Sequence, residues 1–292
     1  MSAVWGASGS NVFAGGEAGT FLHYEGIAWN KMGSGMITPL AAVWGSSGTD
    51  VFAVGESGLV LYFDGHAWGA MPSGTSVNLR DVWGSAADNV FAVGDGGTIL
   101  HFDGGGWTTI PSGSDKTLSG IWGSSPGDIF AVGSLGTILH YDGIGWSSMP
   151  GVSTDLSSVW GSSGDDVFAT GFGHILHYDG ASWNSAADIN AYDIWGSAST
   201  DVFAAGPAGV AHYDGSNWMP MSVPSGEFRG VWGSSGADVF AVGPSGAIIH
   251  FNGSTWRAMT GASVEILDGV WGSSGSDVFA VGRNATVVHY GR

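Results

Sequence analysis

The chain has 292 residues, of which 53 are glycine, 15 are tryptophan and none is cysteine. Its 25 acidic and 7 basic side chains give a formal net charge of −18, which repels nucleic-acid phosphates and anionic membrane, and no Lys/Arg cluster offsets it. Without cysteine there is no disulfide, thiolate chemistry or Cys-ligated zinc; no apolar run reaches the roughly 18 residues of a membrane-spanning helix; and a hydrophobic content of 43 % excludes a disordered low-complexity tract.

The first element, Val4-Trp5-Gly6, follows Met1-Ser2-Ala3 directly, so no signal peptide is expected. An extracellular or cell-surface location is favoured only if the chain is trimmed from a longer secreted one. The same "VWG" or "IWG" returns, with its Trp at positions 5, 44, 83, 122, 160, 195, 232 and 271. The intervals are 39, 39, 39, 38, 35, 37 and 39 residues. A period near 40 with short strands and turn signals inside each unit marks a propeller blade.

The second unit shows the pattern. Strand A ends in Val43-Trp44-Gly45, and "SSGTD" turns the chain. Strand B, Val51-Phe52-Ala53-Val54, is apolar without alternation, so both its faces must be buried, as in a small sheet sandwiched between two others. "ESG" turns into strand C, which ends at Asp64-Gly65, and strand D starts at Trp68. Residues 72 to 78 return to the next strand A. Acidic or amide residues recur six positions after each marker Trp (Asn11, Asp50, Asn89, Asp128, Asp166, Asp201, Asp238, Asp277) and at the end of strand C (Glu25, Asp64, Asp103, Asp142, Asp179, Asp214, Asn252). Both sets read as turn locks that accept backbone N–H groups.

The units begin near residues 1, 40, 79, 118, 156, 191, 228 and 267 of a single propeller domain spanning 1–292. Eight units carry strands A to C but only seven have a D-strand Trp, so an all-β propeller of eight blades and 31 strands is expected, the last blade three-stranded. The ring then closes by packing blade 1 against blade 8, or strand C of blade 8 stays open and recruits another copy. The alternative is a seven-bladed ring with an overhang from Val270.

A histidine on strand C recurs in seven units (His23, His101, His140, His177, His212, His250, His289), with Tyr62 in the other. Equivalent positions on neighbouring blades lie about 10 Å apart, whereas a zinc ligand sits about 2 Å from its ion. One histidine per blade cannot converge on a metal and reads as a buried group bonded within its own blade. No pair of carboxylates stands apart for glycoside chemistry, and no nucleophile elbow or phosphate loop is present. The reading is non-catalytic, with no cofactor or metal.

The connections that vary are the B–C turns and the D–A loops, which share one face of a propeller and form the default binding face. The candidate ligand-binding residues are Arg80, Asp81, Tyr192, Asp193 and Arg229 near the starts of strands A, Glu56, Asp95 and His174 in the B–C turns, and His66, which breaks the histidine pattern.

Trp122-Gly123, Asp128-Ile129-Phe130, Gly133, Leu139-His140, Asp142-Gly143 and Trp146, repeated once per unit, resemble the repeats of bacterial β-propeller lectins of the Photorhabdus type. The resemblance implies a ring that binds fucose or galactose derivatives in clefts between blades, although eight units stand here where seven are usual. The function expected is therefore multivalent carbohydrate binding, with a protein–protein interaction scaffold as the alternative; the partners are glycans or a protein, not nucleic acid, and there is no membrane insertion.

Overall fold

The computed structural model describes residues 2–32, 38–224, 226–259, 265–284 and 286–291. They form eight antiparallel meanders, seven with four strands and one with three. In blade 2 the strands are Leu40–Ser47 (A), Asp50–Gly55 (B), Val60–Phe63 (C) and Trp68–Met71 (D). Blade 8 consists of Leu267–Ser274, Asp277–Gly282 and Thr286–Gly291. Strands A of successive blades lie side by side around the central axis, and strand A of blade 8 lies against strand A of blade 1, Ala3–Ser8. The ring is therefore eight-bladed and closes by face packing, without the overhang of the seven-bladed alternative.

Strand B is the middle of the sandwich. Val51, Phe52, Ala53 and Val54 have no accessible surface, which explains why the strand lacks alternation. Each strand B Phe points across to the next blade: Phe13 meets Phe63 at 5.2 Å and Trp68 at 5.9 Å between ring centroids. Burying one Trp removes about 150–250 Å² from water, on the order of 4–6 kcal/mol, so these inter-blade contacts dominate the stability of a glycine-rich chain.

Closer to the axis, each marker Trp lies over the glycine that follows the marker Trp of the next blade. Trp5 covers Gly45, Trp44 covers Gly84, Trp83 covers Gly123, and so on to Trp232 over Gly272 and Trp271 over Gly6. A Cβ on Gly84 would stand 2.6 Å from the Trp44 indole, and one on Gly6 would stand 2.5 Å from Trp271. The second "W-G" letter is thus required by its neighbour's Trp, and the blade 8–blade 1 seam uses the same contact as the others.

Gly84→Val and Gly6→Val will each lower stability by about 1–3 kcal/mol through overpacking, measured as a fall in the urea midpoint. A Gly6→Val variant as stable as the parent would show that the seam is not closed in solution.

Candidate binding face at the channel mouth

The strand C histidines are accounted for first. The Nε2 of His140, His177, His212 and His250 lies 2.6 Å from Oδ1 of Asp128, Asp166, Asp201 and Asp238 of the same blade, and His289 lies 2.7 Å from Asp277. In blade 2 the Tyr62 hydroxyl donates to Asp50 at 2.7 Å, and Asp50 pushes that hydroxyl up to about 12. The other carboxylate oxygen accepts a serine hydroxyl, as from Ser162 to Asp166 and Ser273 to Asp277, both at 2.5 Å. Each imidazole also packs on its strand B Phe, stacked in all of these blades but the sixth, where His212 is tilted against Phe203, and Phe279 and His289 are 4.0 Å apart. The Asp therefore joins Ser to His, the serine is not poised on an imidazole, and the set recurs around the ring.

Two details differ from the sequence reading. Most of these histidines are half-buried, His23 being the buried one, because strand C is not the innermost strand. The A–B turn aspartates are held by side chains rather than by turn N–H groups. The C–D set does form the expected lock: Asp64 Oδ1 accepts the N–H groups of His66 and Ala67 at 2.9 Å, and Asp103, Asp142, Asp179 and Asp214 repeat it. Those N–H groups hold all five carboxyls below their usual range. Glu25, one methylene longer, bonds Asn30 instead.

In each blade the A–B and C–D turns open on one face and the B–C and D–A connections on the other. On the second face a cavity of about 880 Å³ opens at the axis. Its lining includes Glu17, Glu56, Arg80, Ser134, Asp155 and Phe172, drawn from five consecutive blades. The B–C turns around it are held by the D–A loop that leads into the next blade: Ser57 N–H donates to Asn78 at 3.0 Å, Leu135 N–H to Asp155 at 2.8 Å and Gly173 N–H to Asn190 at 2.5 Å. The mouth is thus preorganised, with little loop entropy left to lose on binding.

The structure places the candidate residues unequally. Glu56 and Arg80 line the cavity, and Arg80 forms a two-pronged ion pair with Asp95, Nε to Oδ1 at 2.8 Å and a terminal nitrogen to Oδ2 at 3.2 Å. Arg80 also holds the Asp95 carboxyl below its usual range. Tyr192 and Arg229 belong to the other side of the ring. Arg229 is taken up by Glu227 at 2.9 Å and Asp268 at 3.2 Å, the second bond crossing from blade 7 to blade 8. His174 pairs with Asp188 at 3.4 Å. His66 sits in a C–D turn on the opposite face and takes no part in this site.

Asp81 and Asp193 lie deeper, on strands A. Each reaches across to the next blade, Asp81 accepting the Ile121 N–H at 2.9 Å and Asp193 the Val231 N–H at 3.0 Å. Enclosure by the ring raises both carboxyls, Asp81 to about 7. They tie blades together rather than face a ligand at the mouth.

Sequence reasoning missed Phe172 and Leu135 as site residues. Both stand in B–C turns of adjacent blades, and they are 60 % and 61 % exposed. Leu135 also holds a left-handed backbone at φ 54°, which costs a β-carbon-bearing residue about 1 kcal/mol. Their signal was in the text: Phe172 sits in the shortest unit, and Leu135 replaces the Ala, Ser or Gly of most equivalent turns. Among the described residues no three His, Asp or Glu side chains gather where they could hold a metal ion, and no helix is long and apolar enough to cross a membrane.

No protein-family model and no curated protein sequence matches the chain. Solved structures match its fold. YCF48 bound to a D1 peptide superposes with TM-score 0.68 at 15 % identity, covering 87 % of this chain and 94 % of that one. YCF48 from Cyanidioschyzon merolae gives 0.67 at 15 %, covering 87 % and 96 %. The C-terminal WD40 domain of Sif2 gives 0.77 at 10 %, covering 99 % and 95 %. The fold is a tandem-repeat β-propeller, similar to these YCF48 and WD40 structures, and identities at this level carry the fold alone. What stands of the lectin resemblance is that architecture, since neither the family models nor the curated sequences match the chain to a lectin.

Because Asp81 titrates near 7 in the fold and near 4 when unfolded, the folded state holds a proton that the unfolded chain releases between those values. Its contribution therefore falls as pH rises through that window and is level above it. Asp81→Asn will remove on the order of 4 kcal/mol of this pH dependence, read as the difference in urea unfolding between pH 4 and 8 for parent and variant. Identical slopes would show that the carboxyl is ionised throughout. Separately, burial lowers His101, whose partner is the neutral Asn89; Asn89→Asp will raise the imidazole titration followed by NMR.

Proposed function

We propose that the chain is a non-catalytic interaction module that takes a protein segment at the channel mouth. The observation that carries this reading is the cavity of about 880 Å³ lined in part by exposed Phe172, with exposed Leu135 next to the lining residue Ser134 in the adjacent B–C turn. Apolar anchors beside a rigid concave floor are what a hot spot needs. A propeller of this fold, YCF48, is solved with a D1 peptide bound, which supports a peptide-sized ligand. Glu17, Glu56 and Asp155 stand in the lining, while Arg80 is neutralised by Asp95. The segment favoured is therefore basic, with an apolar or aromatic anchor.

The carbohydrate reading keeps one observation. A second cavity, of about 410 Å³ between blades 6 and 7, is lined by His212, Ser222, Ser254 and Thr255 at the edge of the buried Trp256, a polar recess that suits sugar hydroxyls.

Peptide display against the full chain will enrich basic sequences with one large apolar residue, and Phe172→Ser will weaken them about tenfold or more. Leu135→Gly relieves the left-handed backbone and will raise stability by about 0.5–1 kcal/mol while weakening the same peptides. Enrichment unaffected by both changes would move the site elsewhere. Signal on a glycan array, lost in Thr255→Trp, which blocks the recess, and kept in Phe172→Ser, would favour the sugar reading instead.

A further inference from the structure

Each C–D turn, from Gly26 in blade 1 to Gly253 in blade 7, holds a glycine in the left-handed region, at φ between 83° and 89°. A Cβ on Gly253 would also stand 3.0 Å from that of Ala237 in the A–B turn of the same blade. Glycine is therefore fixed there by backbone conformation and by space. The residue before it is Asp in five of these turns, Glu25 in blade 1 and Asn252 in blade 7. Asn252-Gly253 is the one Asn-Gly pair in the sequence.

Asn252 Oδ1 accepts the N–H groups of Ser254 at 3.2 Å and Thr255 at 3.0 Å. These bonds fold the side chain back over the Gly253 peptide and draw electron density from Cγ, as the donors of an oxyanion hole do. Among the described residues the Gly253 N–H has no hydrogen-bond partner, and neither has Nδ2 of Asn252. Both residues are exposed, so water and hydroxide reach the Gly253 nitrogen, and no side chain obstructs it. The same pair of N–H groups acts in the opposite sense on Asp. It holds the five carboxyls below their usual range and hence ionised at neutral pH, and the carbon of a carboxylate resists a nitrogen nucleophile. Asn252 is neutral and lacks that protection.

We propose that Asn252-Gly253 is a self-modification site, at which the folded turn converts Asn252 through a cyclic imide to aspartate and isoaspartate. The Gly253 nitrogen gives its proton to hydroxide and adds to Cγ of Asn252. The bond from Cγ to Nδ2 breaks, and Nδ2 leaves as ammonia after taking a proton from water. The five-membered imide then takes up a water molecule. Opening between Cγ and the Gly253 nitrogen leaves aspartate at position 252; opening at the main-chain carbonyl leaves isoaspartate, with an extra carbon in the backbone. The net change consumes water and releases ammonia, and needs no oxidant, reductant or cofactor.

The two products act differently on the fold. Aspartate accepts the Ser254 and Thr255 N–H groups as its counterparts in the other blades accept theirs. Isoaspartate lengthens the turn that delivers Trp256, which is buried and meets Phe203 of blade 6 at 6.5 Å between ring centroids. It also reshapes the recess lined by Ser254 and Thr255. The change at one exposed turn is thus felt in the blade 6–blade 7 seam. The site lies on the face away from the channel mouth and does not depend on the function proposed there.

The probe is hydroxylamine, which opens the imide and cuts the chain there. The full protein under native conditions is compared with the free peptide IHFNGSTWR, which reproduces residues 249–257, and with Asn252→Asp. The native chain is expected to be cut into Met1–Asn252 and Gly253–Arg292 at least as fast as the peptide, and Asn252→Asp about tenfold or more slowly. Peptide mapping of the parent protein aged at mildly alkaline pH without hydroxylamine is expected to find aspartate and isoaspartate at position 252, with the five Asp-Gly turns unchanged. Slower cleavage of the native chain than of the peptide would overturn the proposal, because the turn would then protect Asn252. So would equal cleavage of Asn252→Asp, or isoaspartate gathering in the Asp-Gly turns as fast as at position 252.

Discussion

Everything in this molecule depends on a contact that no blade can make alone. A four-stranded meander of about 39 residues has two apolar faces and no helix to cover either. Its strand B Phe is buried where the neighbour's Phe or Tyr, and in seven of the eight seams a Trp, close over it, and its marker Trp lies where the neighbour lacks a β-carbon. Each blade is therefore half of two interfaces and a stable unit in neither. The free energy of folding resides in the seams, and the ring is the arrangement that leaves no seam open on either side of any blade.

That constraint also explains which parts of the chain were legible. Fold class, blade number, strand count and the three-stranded last blade followed from Trp5 to Trp271, because a packing problem solved eight times writes the same letters eight times. The A–B turn aspartates were placed correctly but given the wrong partners. A turn Asp that binds its own backbone and one that binds a histidine and a serine look alike in sequence, and only the approach of strand C distinguishes them. Asp81 and Asp193 were read as ligand candidates near the starts of strands A, at a position where the other blades carry Ala, Gly or Ser. Their departure serves the seams, since each carboxyl bonds the next blade's backbone.

The candidate face was legible only in outline. Variation in the B–C and D–A connections pointed to it, and the cavity there has Glu56 and Arg80 in its lining, with Asp95 paired to Arg80. Phe172 and Leu135 escaped because their significance lies in exposure, which follows from where a turn projects over the axis. His66 was drawn in by its failure to repeat, but a C–D turn carries it to the other face. Non-repetition marks freedom from the packing problem, and only position on the ring turns that freedom into a role.

The C–D turns have a consequence of another kind. Asp64, Asp103, Asp142, Asp179 and Asp214 each accept two N–H groups and stay ionised below the usual carboxylate range. They form a collar of fixed negative charge on the face away from the mouth. As acid discharges the remaining carboxyls toward the isoelectric point near 4.4, this collar is among the last to be neutralised. Two rings meeting collar to collar repel one another where most acidic proteins begin to flocculate. A turn device that serves folding in each blade thus becomes, summed around the ring, a source of colloidal stability.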